Sequence, residues 1–162
     1  MTTNSGDDEW YTDAKYIKSA RKVMGEIDLD PASSETANMT VKATTYYTIE
    51  DDGLSHEWRG RIWLIPPFSR TGIFVSKLLE SNFTEAIVFV NNSTETGWFQ
   101  SLFGTAGAAV FPQGRTSFYR TDGSKGGKPL QGQVIIYLGP NPNTFVKEFS
   151  KYGLACKPVR KP

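Results

Sequence analysis

The chain has 162 residues, a formal net charge of +1, 22% charged residues and 38% hydrophobic residues. This composition is that of an ordinary globular protein, and the length favours one domain. No apolar run approaches the roughly 20 residues that a membrane helix needs, and the polar, acidic first residues predict no signal peptide. One histidine and one cysteine predict neither a metal site nor a disulfide, and a lone Cys156 suits the reducing cytoplasm.

Acidic and basic residues are separated along the chain. In the segment 28–57, Lys42 stands alone against the acidic side chains Asp28, Asp30, Glu35, Glu50, Asp51, Asp52 and Glu57. In the segment 115–128, Asp122 stands alone against Arg115, Arg120, Lys125 and Lys128. This distribution suits a cationic ligand on one side and a polyanion on the other, with chance clustering as the alternative.

The first regular element is a predicted helix over 13–24, preceded by a flexible polar arm over 1–8. Apolar residues recur on one helical stripe in this segment, and Gly25 follows as a stop. The alternating segment 26–30 then predicts the first strand of an open α/β sheet. At the other end of the chain, residues 157–162 form a predicted basic tail.

The predicted first strand ends at Asp30-Pro31. Ligands of open α/β sheets bind beyond the carboxyl ends of the strands. Asp28 and Asp30 are therefore expected near a binding edge, where the small residues Pro31, Ala32 and Ser33 let a ligand approach the backbone. An ordinary Asx turn is the alternative.

The segment 35–48 fits either a short helix or an edge strand. The run Glu50-Asp51-Asp52-Gly53 after it predicts a turn. In Rossmann-like sites an acidic residue after a strand often binds ribose hydroxyls, a role that fits Asp51 or Asp52. Solvated turn acids are the alternative.

A strand over 61–65 stops at Pro66-Pro67. Neither proline can donate a backbone hydrogen bond, and each disfavours helical geometry in the residue before it, so a stiff, extended corner is predicted. Phe68 at this corner offers a flat face to a planar ligand such as a base. The alternative is a strand end followed by a capped helix, with Phe68 in the core.

The rest of the chain alternates between helical and strand patterns. Helices are predicted over 71–81, around 98–103 and over 143–152, and strands over 86–90, 108–111, 133–138 and 154–157. The glycine-rich, basic segment 119–131 predicts a mobile surface loop. The alternation predicts a single α/β domain, with a Rossmann-like, mixed, mostly parallel sheet and helices on both faces.

The corner Ile65-Pro66-Pro67-Phe68 resembles the Asp/Asn-Pro-Pro-Tyr/Phe motif of S-adenosylmethionine-dependent amino methyltransferases that act on DNA. Further segments, in the same order, resemble the small phage-type DNA N-6-adenine methyltransferases: 8–12 (DEWYT), 27–33 (IDLDPAS), 51–54 (DDGL), 63–64 (WL), 66–70 (PPFSR), 90–92 (VNN) and 111–115 (FPQGR). The resemblance implies a methyltransferase fold over 9–156, S-adenosylmethionine as cofactor, double-stranded DNA with a flipped base as substrate, and action in a bacterial host cytoplasm.

The resemblance also implies roles for individual residues. Cofactor contacts are implied for Trp10, Tyr11, Thr12, Asp28, Asp30, Pro31, Ala32, Ser33, Asp51 and Asp52. The catalytic motif corresponds to Ile65, Pro66, Pro67 and Phe68, in which the Pro66 carbonyl accepts a hydrogen bond from the amine and Phe68 stacks on the flipped base. DNA contacts are predicted for Ser69, Arg70, Asn92, Arg115, Arg120, Lys125 and Lys128, and no metal is predicted.

The chain departs from the family motif at Ile65, where the family has Asp or Asn. An isoleucine side chain accepts no hydrogen bond, and the loss of such a contact typically costs about 2.7–4 kcal/mol of barrier. Three hypotheses follow: an active or weakened adenine methyltransferase, a protein that binds the cofactor and DNA or a partner without catalysis, or a methyltransferase for another acceptor. Because DNA readout falls to loops such as 115–131, low sequence specificity is expected.

Overall fold

A computed structural model describes residues 10–120, 122–126 and 129–159, and for Trp10 the backbone alone. The predicted arm over 1–8, Lys128 and the end of the predicted basic tail lie outside the described residues. The elements follow in this order: β1 (Trp10–Thr12), α1 (Ala14–Met24), β2 (Leu29–Asp30), α2 (Glu35–Val41), β3 (Thr45–Tyr46), β4 (Arg59–Leu64), α3 (Thr71–Glu80), β5 (Asn82–Asn91), α4 (Gly97–Thr105), β6 (Ala108–Pro112), β7 (Phe118–Arg120), β8 (Gln133–Leu138), α5 (Pro142–Phe149) and β9 (Gly153–Cys156).

The main sheet has the strand order β3-β2-β4-β5-β8-β6-β9. Strands β3, β2, β4 and β5 are parallel neighbours, β8 is antiparallel to both β5 and β6, and β9 is antiparallel to β6. Strands β3, β2, β4, β5 and β6 therefore run in one direction, against β8 and β9. The predicted mixed, mostly parallel α/β sheet is confirmed.

Each face of the sheet is covered by helices. On one face, α1, α2 and α5 bury apolar side chains against Trp63, Phe89 and Ile135. On the other face, α3 and α4 pack against Ile62 and Val88. The central strands are buried on both faces, which explains why they are continuous apolar runs in the sequence.

The predicted first helix is confirmed with its caps. The Asp13 carboxylate accepts a hydrogen bond from the Lys15 backbone N–H at 3.0 Å. Gly25 ends the helix at a φ of 87°, a backbone conformation that a residue with a Cβ rarely adopts. The ambiguous segment 35–48 contains both alternatives, because helix α2 is followed by the short edge strand β3.

The prediction of an irregular loop over 119–131 is wrong at its start. Residues Phe118–Arg120 form β7, which pairs antiparallel with β1 in a second, two-stranded sheet. Phe118 is buried in the core, and the Tyr119 ring stacks on Tyr11 with centroids 5.5 Å apart. Three residues are too few to show a strand periodicity, and the pairing partner lies more than a hundred residues away.

Candidate functional site

An open groove lies at the carboxyl ends of β2, β3 and β4. Its walls come from the loop 31–34, the segment 47–53 and the corner 65–68, with Arg70 and Phe74 beside the corner. These strands are parallel neighbours, so their ends meet at the same edge of the sheet. The groove therefore joins the segment predicted for cofactor binding to the segment predicted for catalysis.

The loop after β2 and the turn after β3 form one continuous wall. The Ser33 backbone N–H donates to the Tyr47 carbonyl at 2.8 Å, and Trp58 Nε1 donates to the Gly53 carbonyl at 2.8 Å. A Cβ added at Gly53 would lie 2.0 Å from the Pro31 carbonyl oxygen. Only glycine allows this approach, so Gly53 holds the two backbone segments together.

The Pro-Pro corner is fixed by hydrogen bonds from the helix that follows it. The Pro67 carbonyl accepts from the Arg70 backbone N–H at 2.9 Å and from Thr71 Oγ1 at 3.3 Å. The Phe68 ring lines the groove and also packs edge-on against Phe118, with centroids 5.6 Å apart and an interplanar angle of 86°. Both sequence alternatives for Phe68 hold in part, since the ring is half-buried against the core yet lines the groove.

Ile65 lies between the groove and a small adjoining pocket. Its side chain is 9% exposed and packs with the core on the face that α1 and α2 cover. It lines the groove on one side and the adjoining pocket on the other. A polar side chain at this position would contact both spaces, whereas isoleucine presents an apolar surface to both.

The adjoining pocket is lined by two polar groups that lack strong partners. Asp30 is 3% exposed, and its carboxylate accepts from the Ala32 backbone N–H at 3.3 Å and from the Ser33 hydroxyl. Burial outweighs these contacts and raises the pKa of Asp30 to about 7. Thr12 is 2% exposed, and among the described residues its Oγ1 has no hydrogen-bond partner. A hydrogen bond from a ligand to such a buried, poorly paired group favours binding.

The other acidic residues predicted for the cofactor differ in position. The Asp28 carboxylate is bound by Arg61 and does not line the groove. The Asp51 carboxylate accepts from the Thr48 backbone N–H at 2.9 Å and from its hydroxyl at 3.0 Å, which stabilises the turn and lowers the Asp51 pKa. Asp52 lines the groove, with its backbone at a φ of 52°.

The residues predicted for DNA lie in three places. Arg70 lines the groove, its guanidinium carbon 5.8 Å from the Phe74 ring centroid, and Ser69 beside it is exposed. Asn92 and Arg115 meet at Gly132. Arg120 is the last residue of β7 in the small sheet, and Lys125 forms an isolated bridge to Tyr119 beside it. The side chain of Trp10 and all of Lys128 lie outside the described residues.

Several groove residues were not predicted from the sequence. Tyr47, Ile49 and Phe74 contribute the apolar part of the lining, and Ile49 is 73% exposed there. Tyr47 and Ile49 follow the short strand β3, which the ambiguous segment 35–48 did not resolve. Within the described ranges, no helix is long and apolar enough to cross a membrane, and no acidic, His and Cys side chains gather as a metal site.

Comparisons with known proteins agree with the motif order. The model of a family described as DNA N-6-adenine-methyltransferase (Dam) matches residues 1–152. A protein of Escherichia phage T1 named DNA N-6-adenine-methyltransferase is 34% identical over 106 residues, which covers 60% of this chain and 42% of that protein. The chain thus spans less than half the length of this relative. The family resemblance read from the sequence is confirmed.

Proposed function

The chain belongs to the DNA N-6-adenine-methyltransferase family, and from this we propose that it methylates the exocyclic amine of adenine in double-stranded DNA, with S-adenosylmethionine as methyl donor. The observation that carries the proposal is the groove itself. The loop 31–34, the acidic turn with Asp52 and the Pro-Pro-Phe corner line one continuous space. A methyl donor and an acceptor base must meet in such a space for direct transfer.

The lining of the groove fits S-adenosylmethionine. This cofactor supplies a methyl group on a sulfonium and carries an ammonium, a carboxylate, a ribose and an adenine ring. Pro31, Tyr47 and Ile49 offer apolar surface to a ring, and the Asp52 carboxylate offers acceptors to ribose hydroxyls. Asp30 and the orphan hydroxyl of Thr12 provide an acceptor and a donor for the amino-acid end.

The corner fits the target base. The half-buried Phe68 ring is held by Phe118, so it gives a flipped adenine a rigid surface for stacking. The Pro66 carbonyl is the backbone acceptor for the amine at the end of β4. Arg70 beside the corner supplies a positive charge for the phosphate of the flipped nucleotide.

Transfer to an amine requires alignment and an available lone pair on the nitrogen. Most of the work is positioning, which the stacked Phe68 ring and the stiff corner perform. A second acceptor for the amine is missing at Ile65, because that side chain has no polar atom. One missing contact to developing charge lowers a rate about a hundred- to a thousand-fold, so we expect a slow enzyme.

DNA contacts outside the groove are expected to be mainly electrostatic. Arg120 and Lys125 extend from the small sheet on the same side of the molecule, and the segment that carries them is basic. Contacts to phosphates carry little sequence information, so low sequence specificity is proposed.

The test is transfer of a labelled methyl group from S-adenosylmethionine to unmethylated duplex DNA, followed by digestion to nucleosides. Label in N6-methyldeoxyadenosine, with a background set by Phe68→Ala, is the expected result. A second candidate function is favoured by the apolar Ile65: a protein that binds the cofactor and DNA or a partner without catalysis. Cofactor binding with no labelled nucleoside would favour this second function.

A further inference from the structure

A cluster of amide and guanidinium side chains lies one strand away from the Pro-Pro corner. Strand β5 pairs in parallel with β4, with Leu64 opposite Val88, so Asn92 just after β5 lies beside the corner. The Asn92 backbone N–H donates to the Gly132 carbonyl at 3.0 Å. The Ser93 hydroxyl donates to Gln131 Oε1 at 3.2 Å. These bonds tie the end of β5 to the residues just before β8.

Because Gly132 has no side chain, two neighbouring side chains can lie close to its backbone. A Cβ added there would lie 2.7 Å from Asn92 Nδ2 and 3.6 Å from Arg115 Nη1. The amide of Asn92 and the guanidinium of Arg115 therefore both lie over this glycine, and both residues are exposed at the surface. Their donor groups are thus close together and face solvent.

The buried amide of Gln133 forms hydrogen bonds to residues next to this cluster. Gln133 is 4% exposed, and its Nε2 donates to Asn91 Oδ1 at 2.6 Å and to the Gln131 carbonyl at 3.4 Å. Its Oε1 is buried and has no hydrogen-bond partner within the ranges that the structure describes. An unpaired buried acceptor typically lowers the stability of a protein by about 1–3 kcal/mol. An apolar side chain would fill this position without that loss.

The chemistry of the cluster matches base edges better than phosphates. An asparagine or glutamine amide forms two hydrogen bonds with one adenine, at N6 and N7, and an arginine forms two with one guanine, at O6 and N7. Amide N–H groups also donate to phosphate oxygens, but a phosphate leaves the amide oxygen without a donor, whereas the adenine edge offers both a donor and an acceptor. We infer that Asn92, Gln131 and Arg115 read the edge of a base pair next to the flipped adenine, an inference that rests on the proposed function. Selectivity for one or two neighbouring pairs is compatible with low overall specificity.

The experiment measures binding to a panel of short duplexes that contain one target adenine and each of the four base pairs on either side. The proteins are wild type, Asn92→Ala, Gln131→Ala and Arg115→Ala, all with S-adenosylhomocysteine present. Matched controls are Asn82→Ala and Arg59→Ala, which change the same residue types at the opposite edge of the sheet, at the starts of β5 and β4. Each series is run at two salt concentrations.

We expect wild type to prefer one neighbouring pair by about ten-fold, the discrimination that one good bidentate contact provides. Changes at Asn92 or Arg115 should bring this ratio close to one, with a clearly larger loss of affinity for the preferred duplex than for the others. Gly132→Ala should also reduce the ratio, because a Cβ there displaces the Asn92 amide while its chemistry is retained. The two controls should keep the wild-type ratio.

Two results would overturn the inference while leaving the proposed function intact. One is wild-type binding with no preference among the duplexes. The other is an equal loss of affinity for every duplex with a weaker salt dependence, which identifies phosphate contacts. A folded wild-type protein that binds S-adenosylhomocysteine but no duplex would overturn both the inference and the proposed function.

Discussion

Asp28 is held by Arg61 of the neighbouring strand β4 through three hydrogen bonds to its carboxylate. Oδ2 accepts from the Arg61 backbone N–H and from Nε, each at 2.8 Å, and Oδ1 accepts from Nη2 at 3.0 Å. The Arg61 guanidinium holds the pKa of Asp28 below its ordinary value. Because Arg61 lies in the first half of β4, this pair is at the amino edge of the sheet, opposite to the groove.

The first prediction is that Asp28 contributes to stability and not to cofactor binding. Asp28→Ala should lower the free energy of unfolding by about 1–2 kcal/mol, since the charge-assisted bonds are partly exposed. Urea unfolding measures this loss, and calorimetry with S-adenosylhomocysteine should give an unchanged affinity. The control is Glu26→Ala, because Glu26 approaches the same guanidinium only to 3.9 Å and is well exposed. A fall in cofactor affinity for Asp28→Ala alone would contradict this assignment.

A second prediction concerns the pH dependence that Asp30 creates. Its pKa of about 7 lies above the ordinary value of 3.8, so between these values the folded protein binds a proton that the unfolded chain has lost. The contribution of Asp30 to the free energy of unfolding should therefore be most favourable below about pH 4 and fall as pH rises towards 7. Asp30→Asn should remove this part of the fall. A pH profile of urea unfolding that is identical in the two proteins would contradict the prediction.

The same carboxyl group links cofactor binding to proton release. A ligand ammonium near Asp30 favours the ionised carboxylate, so affinity for S-adenosylmethionine should rise between pH 5 and about 7. Calorimetry in two buffers of different ionisation enthalpy measures the released proton directly. Asp30→Asn should bind more weakly and release no proton. Proton release that persists in Asp30→Asn would place the titrating group elsewhere.

A third prediction separates the neighbouring acids Asp51 and Asp52. Asp52 lines the groove, so Asp52→Asn should weaken cofactor binding about ten-fold or more through lost bonds to the ribose. Asparagine tolerates the left-handed backbone of residue 52, so the fold is preserved. Asp51→Ala should instead lower the urea midpoint of unfolding without changing cofactor affinity, because it removes the bonds to Thr48. An analogue that lacks the ribose hydroxyls should bind wild type and Asp52→Asn equally well.

A fourth prediction concerns the basic segment that follows β7. Lys125 is exposed on the side of the molecule where DNA is expected. Lys125→Gln should weaken binding equally for unrelated duplexes and reduce the salt slope by about 0.9 for one lost phosphate contact. The matched control is Lys22→Gln, in the last turn of α1. Equal salt slopes for wild type and Lys125→Gln would move the DNA surface away from this segment.

The sequence predicted where the site would form, because strand ends leave a clear signal. Proline pairs, acidic turns and small residues interrupt apolar runs at Asp30, Asp52 and Pro66, and the parallel order of the strands brings these ends to one edge. The elements themselves were predicted for the same reason: the β8 strand over 133–138 has a continuous apolar pattern with distinct ends.

What the sequence could not predict depends on contacts between distant residues. Spacing along the strand gives Asp28 and Asp30 the same character, and only the position of Arg61 separates a structural carboxylate from one beside the groove. The pairing of β1 with β7 and the cluster around Gly132 likewise join residues that are far apart in the chain. No local pattern of residues marks such pairs.

The last prediction concerns Ile65, which under the proposed function sets the rate of methyl transfer in this groove. Asparagine is close to isoleucine in size, and the Pro-Pro corner fixes the backbone direction. The new amide would lie between the groove and the adjoining pocket that Asp30 and Thr12 line. Its oxygen supplies the missing acceptor for the adenine amine, so Ile65→Asn should raise the rate about ten- to a thousand-fold. Ile65→Leu, which stays apolar, should give no gain.

The most direct measurement is the single-turnover rate of labelled methyl transfer to adenine in unmethylated duplex DNA, with saturating S-adenosylmethionine. Wild type, Ile65→Asn, Ile65→Leu and Phe68→Ala are compared after thermal unfolding has shown that each is folded. We expect slow formation of N6-methyldeoxyadenosine by wild type, a much faster rate for Ile65→Asn, and only background for Phe68→Ala. Folded, cofactor-bound wild type and Ile65→Asn that both leave adenine unmethylated would contradict the account.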